Sequence, residues 1–305
     1  MLTFLLRRLL AAVPVVFGVT LLAFSMSHLT PGDPVRIMLG ERATAEDVTR
    51  LRAQLGLDRP LPVQYLTFLS NAVRGDLGTS IRSGQPVSRE ITDRVDETAA
   101  LTGAAMAIAI LLGVSLGTFA AVSRSPALEA VIMGFALLGI SMPTFWSGLL
   151  FILLFAIVLG WLPVTGTGIV GLILPAVTLA LPAAAVLARM TRSSLLEVLE
   201  QDFVRTARSK GIHGSVVVVK HALRNAFIPV LTIAGLQFGS LMAGSVIVES
   251  VFARPGLGRF AVNAILARDF PQIQGIVLFA GLIYLVVNMV VDLLYGVLDP
   301  RIQAR

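Results

Sequence analysis

Apolar residues in this chain come in long blocks, not in the alternating or three-and-four spacing of a water-soluble fold. From Leu9 to Leu29 the only titratable side chain is His28, and Thr98 to Val122 has none. The run from Ala130 to Ala188 also lacks any ionisable group, and further apolar blocks cover Ala226 to Val248 and Gly275 to Leu298. A helix needs about 20 apolar residues to cross about 30 Å of hydrocarbon. At about 1.5 Å per residue the Ala130–Ala188 block is too long for one crossing, and Gly160 to Gly168 supplies a break. The pattern predicts an all-α polytopic membrane protein with six transmembrane helices.

The polar stretch between the first two blocks carries helix signals of its own. Thr44 followed by Asp47 has the form of a helix start, Val48, Leu51 and Leu55 recur at helical spacing, and Gly56 fits a stop. A second helix is expected from Pro62 to Val73, ahead of Gly75. Residues 30–97 therefore read as a small external helical subdomain. Later spans contain Pro143, Pro175, Pro182 and Pro229, which suits helices that pack against protein or line a cavity. Gly113/Gly117 and Gly235/Gly239 each form a Gly-xxx-Gly pair that permits close helix packing.

Composition agrees with the pattern. Of 305 residues 56% are hydrophobic and 14% charged, with mean hydropathy +0.86, whereas soluble domains are about 25% charged. The net charge of +6 fits anionic lipid and a positive cytoplasmic side, and not nucleic acid. Six spans put both termini on one face, together with Arg7, Arg8, Arg124, the Arg189–Arg224 segment, Arg301 and Arg305. Basic residues are densest on the short loops of that face, which is therefore read as cytoplasmic. The first apolar run is too long for a signal-peptide core and has no small-x-small cleavage site, so it reads as a retained span.

Several chemistries are absent. There is no cysteine, which removes disulfides, thiolate metal sites and cysteine nucleophiles. His28, His213 and His221 form no HExxH arrangement, and no GxSxG occurs. Gly166, Gly168 and Gly171 match a dinucleotide fingerprint in spacing only, without a surrounding βαβ unit. No phosphate-binding GxxxxGK[ST] loop is present. Ion-coupled carriers bury ionisable groups in mid-membrane; here only Asp292 lies within a span, one turn after Asn288. The chain thus builds a pathway without a motor.

One segment breaks the apolar monotony. "QDFVRTARSKGIHGSVVVVKHALRNAFIP", Gln201 to Pro229, places Arg205, Arg208, Lys210, Lys220 and Arg224 in one loop. Asp202 can cap a short helix, Phe203 and Ala207 fall four apart on one face, and Gly211 supplies a stop. Ser215 begins another helical run that Pro229 is expected to kink. The result is a short helix with an apolar knob and a basic surround. Burial of Phe203 in a partner's groove would contribute roughly 1.5–3 kcal/mol, while the cations fix orientation. Ala207 and Gly211 are small enough for close approach.

This segment resembles the cytoplasmic loop of permease subunits of bacterial ABC importers, in the peptide, nickel and glutathione group. The likeness extends over nearly the whole chain: "LLRRLL", "PGDPVR" (31–36), "LGLDRPLPVQYL" (55–66), "GDLGTSIRSGQPV" (75–87), "GISMPTFWSGLL" (139–150), "GWLP" (160–163) and "VFARPGLGR" (251–259). The resemblance implies that residues about 190–225 hold a coupling helix, made by Asp202, Phe203, Arg205, Thr206, Ala207, Arg208, Lys210 and Gly211, which docks on a separate ATPase. Arg205-Thr206-Ala207 stand where the general importer loop has E-A-A, so two of those three positions depart from it, as does His221-Ala222-Leu223-Arg224 further on.

It further implies one or two ATPase subunits that carry ATP and Mg, a second homologous permease, and an extracytoplasmic solute-binding protein. No cofactor or metal is expected on this chain, and no catalysis. The expected cargo is a di- or oligopeptide, with glutathione or chelated nickel as alternatives. The layout is then a first span (1–29), the external segment (30–97), a five-span core (98–298) and a cytoplasmic tail (299–305). Ser141, Trp146, Gln237 and Ser240 are candidates to line the pathway. A stand-alone secondary carrier would need buried charges and inverted repeats, and neither is found. An assembly scaffold is the other rival class, and loss of uptake on deletion would exclude it.

Overall fold

A computed structural model describes residues 2–29, 34–39, 44–166 and 168–298. Among them the regular elements are all helical, with one isolated antiparallel bridge between Thr79 and Pro86. The helices are α1 (Leu2–Leu29), α2 (Pro34–Leu39), α3 (Ala45–Gln54), α4 (Leu61–Val73), α5 (Val87–Val122), α6 (Pro126–Ser141), α7 (Thr144–Phe151, continuing as a π-helical Ile152–Val158), α8 (Gly168–Leu199) and α9 (Asp202–Ser209). A single turn, α10 (Gly214–Val216), leads through a π-helical Val217–Ala222 into α11 (Leu223–Val251), followed by α12 (Leu257–Ala267) and α13 (Phe270–Leu298).

Four helices are long and apolar enough to cross a membrane, namely Val87–Val122, Gly168–Leu199, the continuous Gly214–Val251, and α13 over Phe270–Val291. A fifth crossing exists if α6 and Thr144–Val158 form one broken span, since they meet at 109°. The expectation of six spans is therefore met only as four or five on length and composition. The expected break around Gly160–Gly168 is present, one helix ending at Val158 and α8 beginning at Gly168, and a second break in the same block lies at Met142–Pro143. Its cause is local: a residue before proline is disfavoured in the α region. Met142 accordingly sits at φ −80°, ψ 129°, and Pro143 opens the next helix. Of α1, the described side chains cover the apolar stretch Leu10–Met26. The side chains of His28 and Asp292, residues 31–33 of "PGDPVR", and the tail 299–305 lie outside the described residues.

The chain divides into two compact units. The first comprises residues 1–96 and 259–286. In it Thr44 caps α3: its hydroxyl accepts from the Asp47 amide (3.2 Å) while the Asp47 carboxylate accepts from the Thr44 amide. The Thr44 hydroxyl also donates to that carboxylate (2.6 Å), and this bond first, with the amide bond second, holds the Asp47 carboxyl below the usual aspartate range. Elsewhere in this unit Asp269, fully buried, accepts from the Ser80 hydroxyl (2.6 Å) and the Arg82 amide (3.1 Å). Gln272 donates to Ser80 and Glu90. These bonds tie the Leu77–Val87 loop to the start of α13 and satisfy a buried carboxylate that would otherwise be costly.

The second unit, residues 97–258 and 287–305, holds the main apolar core. Leu101, Ala105 and Ala109 of α5, Leu174 to Leu187 of α8, and Val230 to Val248 of α11 bury one another, with Phe252 closing one end. The abundance of alanine lets backbones approach closely. Gly113 and Gly117 of α5 face α8: a Cβ at Gly113 would stand 2.6 Å from Leu187 Cβ, and one at Gly117 2.6 Å from Thr191 Cβ. We expect Gly117→Leu to force α5 off α8 and abolish the folded complex, while Gly134→Leu, at an open position, leaves its yield unchanged. Size-exclusion profiles of the purified complexes measure this.

Charged groups sit at the two ends of this unit. Arg254 pairs with Glu97 and donates to the Gly171 carbonyl (3.1 Å) at one end of α8. Arg192, near the other end, pairs with Glu129 at the start of α6. The 21 residues from Gly171 to Arg192 span about 32 Å at helical rise, close to the hydrocarbon thickness. Within that length α8 carries no charge from Gly171 to Ala188, the first being Arg189.

Candidate functional site

The basic loop folds onto one end of the second unit. Gln201, extended at φ −72°, ψ 151°, precedes α9, so it and not Asp202 occupies the cap position. On α9 the buried residues are Val204 and Ala207, three apart, and they pack with Leu195 and Val198 of α8, Val217, Ala222 and Ala226. The helix stop is a Schellman arrangement. The Gly211 amide donates to the Arg208 carbonyl (2.9 Å) and the Ile212 amide reaches back to Ala207 (3.3 Å). Gly211 adopts φ +76°, a conformation that costs any side-chain-bearing residue about 1 kcal/mol or more. Ile212 then folds back against the same apolar cluster, which pins the loop.

The structure reassigns a second residue as well. Ala207 was expected on the docking face beside Phe203, but it faces inward. Val204 is the reason: with Ala207 it centres the apolar stripe and anchors α9 to its own chain. Phe203 falls at the edge of that stripe and stays 39% exposed. Asp202, Arg205, Thr206, Arg208, Lys210 and Gly211 are exposed as well. Asp202 and Arg205 approach to 3.6 Å with both side chains mostly in solvent, an arrangement of little energetic weight. The outer side of α9 thus presents one aromatic ring and three cations on a rigid, internally anchored helix.

Two features escaped the sequence reading. The Val204 anchor was legible in its spacing to Ala207. The Glu129–Arg192 pair was not, because 63 residues separate its members. The four pathway candidates occupy two places: Ser141 and Trp146 are exposed at the α6–α7 break, while Gln237 is half-buried and Ser240 exposed on α11. Among the described residues no hydrogen bond joins them. Gly235 and Gly239 are half-buried on α11. No group of three or more metal-ligating side chains occurs among the described residues.

Family comparison decides the identity. Residues 113–304 match the family "Binding-protein-dependent transport system inner membrane component", and residues 1–102 match the N-terminal membrane component of the same systems. The chain belongs to this family and is an ABC importer permease subunit. It is 45% identical over its full length, and theirs, to the glutathione transport system permease protein GsiC of Pectobacterium atrosepticum and of Escherichia coli K12. Identity to the same protein of Salmonella typhi is 46%. Among solved structures, an inward-facing MetNI methionine ABC transporter chain aligns with a TM-score of 0.60, covering 68% of this chain and 96% of that one at 19% identity. An amino acid ABC transporter aligns with a TM-score of 0.52, covering 70% and 94% at 19% identity.

The permease is accordingly a multi-pass membrane protein and not an enzyme. ATP hydrolysis in such importers resides in separate ATPase subunits, and solute arrives through a substrate-binding protein.

Proposed function

We propose that this permease forms half of an ATP-driven pathway for glutathione, with the outer side of α9 as its coupling surface. The cargo rests on full-length relatives at 45–46% identity whose name is glutathione transport system permease; it is the alternative in the sequence reading, which put di- or oligopeptides first. Di- and oligopeptides are the neighbouring reading. The observation that carries the coupling role is the two-sidedness of α9. Val204 and Ala207 weld it to α8 and α11, so force applied at Phe203, Arg205, Arg208 and Lys210 passes directly into two long helices.

In this proposal a second homologous permease completes the pathway and one or two ATPases bind ATP and Mg. A binding protein delivers solute to the outer face. There are six crossings, α1 being the first and the broken α6–α7 pair the third, with both termini cytoplasmic. Ser141 and Trp146 at the break, and Gln237 and Ser240 on α11, are the proposed pathway residues. Competitive uptake by cells that carry or lack this permease tests the cargo. Labelled glutathione should enter only with the permease, and excess unlabelled glutathione should block entry far better than dipeptides or pentapeptides. Uptake of dipeptides alone would reassign the cargo.

A further inference from the structure

The segment between α1 and α5 contains a helix whose surface does not suit water. From Pro60 to Val73 no residue is charged. Val63, Leu66 and Val73, on the outward side of α4, are 40%, 65% and 85% exposed. The polar Thr67 between them is already satisfied, donating to the Val63 carbonyl at 2.9 Å. Charge returns at both ends, with exposed Arg59 before the helix and Arg74 after it. In water such a helix leaves its large apolar side chains uncompensated.

Its inner side shows where it lies. Tyr65 hydrogen-bonds Thr20 of α1 at 2.8 Å and meets Phe17 and Phe24 edge-on, with ring centroids 6.1 and 5.4 Å away. Phe68 packs on Phe24 at 6.1 Å. Phe17 and Phe24 are 12 and 5 residues before the end of α1, hence about 18 and 7 Å below it at helical rise. If α1 crosses the membrane with its end at the outer boundary, those contacts run from the outer part of the hydrocarbon to just past its midplane, about 15 Å down. The apolar outer side of α4 is then continuous with that of α1, where Val13, Phe17 and Leu22 are also more than half exposed.

We propose that α4 is embedded in the outer leaflet. Val63, Leu66 and Val73 face acyl chains, and the long side chains of Arg59 and Arg74 reach out toward the lipid headgroups. The segment between the first two spans is then seated in the bilayer and is not a subdomain surrounded by water. This proposal rests on the reading of α1 as a span.

The absence of cysteine makes the test direct. Single variants Leu66→Cys, Val73→Cys, Val13→Cys and Asp58→Cys are labelled with bimane in the intact transporter, reconstituted in nanodiscs with or without doxyl-phosphatidylcholine. Quenching by the doxyl lipid at positions 66 and 73 equal to that at 13, with none at 58, is the expected result. Quenching at 13 alone overturns the embedded helix while leaving the α1 span standing. No quenching at 13 overturns both. Protection of 66 and 73 from aqueous iodide without lipid quenching would mean a protein partner covers α4, and also overturns the proposal.

Discussion

Phe203→Asp should abolish transport without preventing membrane insertion. Burial of an aromatic ring in a partner's groove contributes roughly 1.5–3 kcal/mol, so its loss alone weakens docking about 10- to 150-fold. The introduced carboxylate adds a desolvation penalty at the same spot. Because Phe203 sits at the edge of the inner stripe and is 39% exposed, the Val204–Ala207 anchor survives, and the permease should still fold. Gly211→Arg should act on the same surface differently. It forces a side chain into φ +76° and unpins the loop behind α9. Pull-down of the tagged permease with mass spectrometry measures both effects. Co-purifying ATPase subunits should be recovered with the native chain, lost with Phe203→Asp, and reduced with Gly211→Arg. Full recovery and unchanged uptake with both variants would remove α9 from the coupling role.

Glu249→Ala should cost more stability than any surface change in the chain. Glu249 is fully buried near the end of α11 and accepts from the Thr98 hydroxyl at 2.6 Å and the Gly258 amide at 2.7 Å. Thr98 in turn accepts from the Leu257 amide at 2.8 Å. One carboxylate thereby joins α5, the end of α11 and the start of α12. Hydrogen bonds to a charged group contribute about 1.5–3 kcal/mol each, so removal of both should cost about 3–6 kcal/mol, a large part of a typical folding free energy. Gly256 passes so close that any Cβ there would overlap this carboxylate, and Gly256→Ala should be nearly as damaging. Glu249→Gln keeps the shape and should lose less. Thermal unfolding of the purified complex, followed by size exclusion, should show a midpoint lowered by about 10 °C or more for Glu249→Ala. A shift of a degree or two would mean that the cluster holds nothing together.

How much of this was legible in the sequence differs from element to element. The capping pair Thr44/Asp47, the short helix after Gln201 and its stop at Gly211 are local: each depends on residues within five positions of one another. The break at Met142–Pro143 was also written locally, yet was read as a helix interior, because an apolar block hides a proline boundary inside it. The inward side of α9 was misjudged for a related reason. Four-residue spacing pairs Phe203 with Ala207, but which side of the stripe faces home depends on where α8 and α11 place their own apolar residues. Glu249 gave no signal, since its partners Thr98, Leu257 and Gly258 lie up to 151 residues away.

By itself the sequence determined the class of solvent, the helical content, the absence of a phosphate-binding loop, and the existence of one basic helix within an apolar chain. Each follows from composition or short-range periodicity, which needs no knowledge of what packs where. Tertiary structure alone decided which residues of that helix face outward, which glycines permit close packing, and where buried charge is satisfied. It also decided that α4 lies along α1. Those outcomes depend on contacts between residues distant in the chain, and a carboxylate or a methyl group has no fixed role until the backbone opposite it is in place.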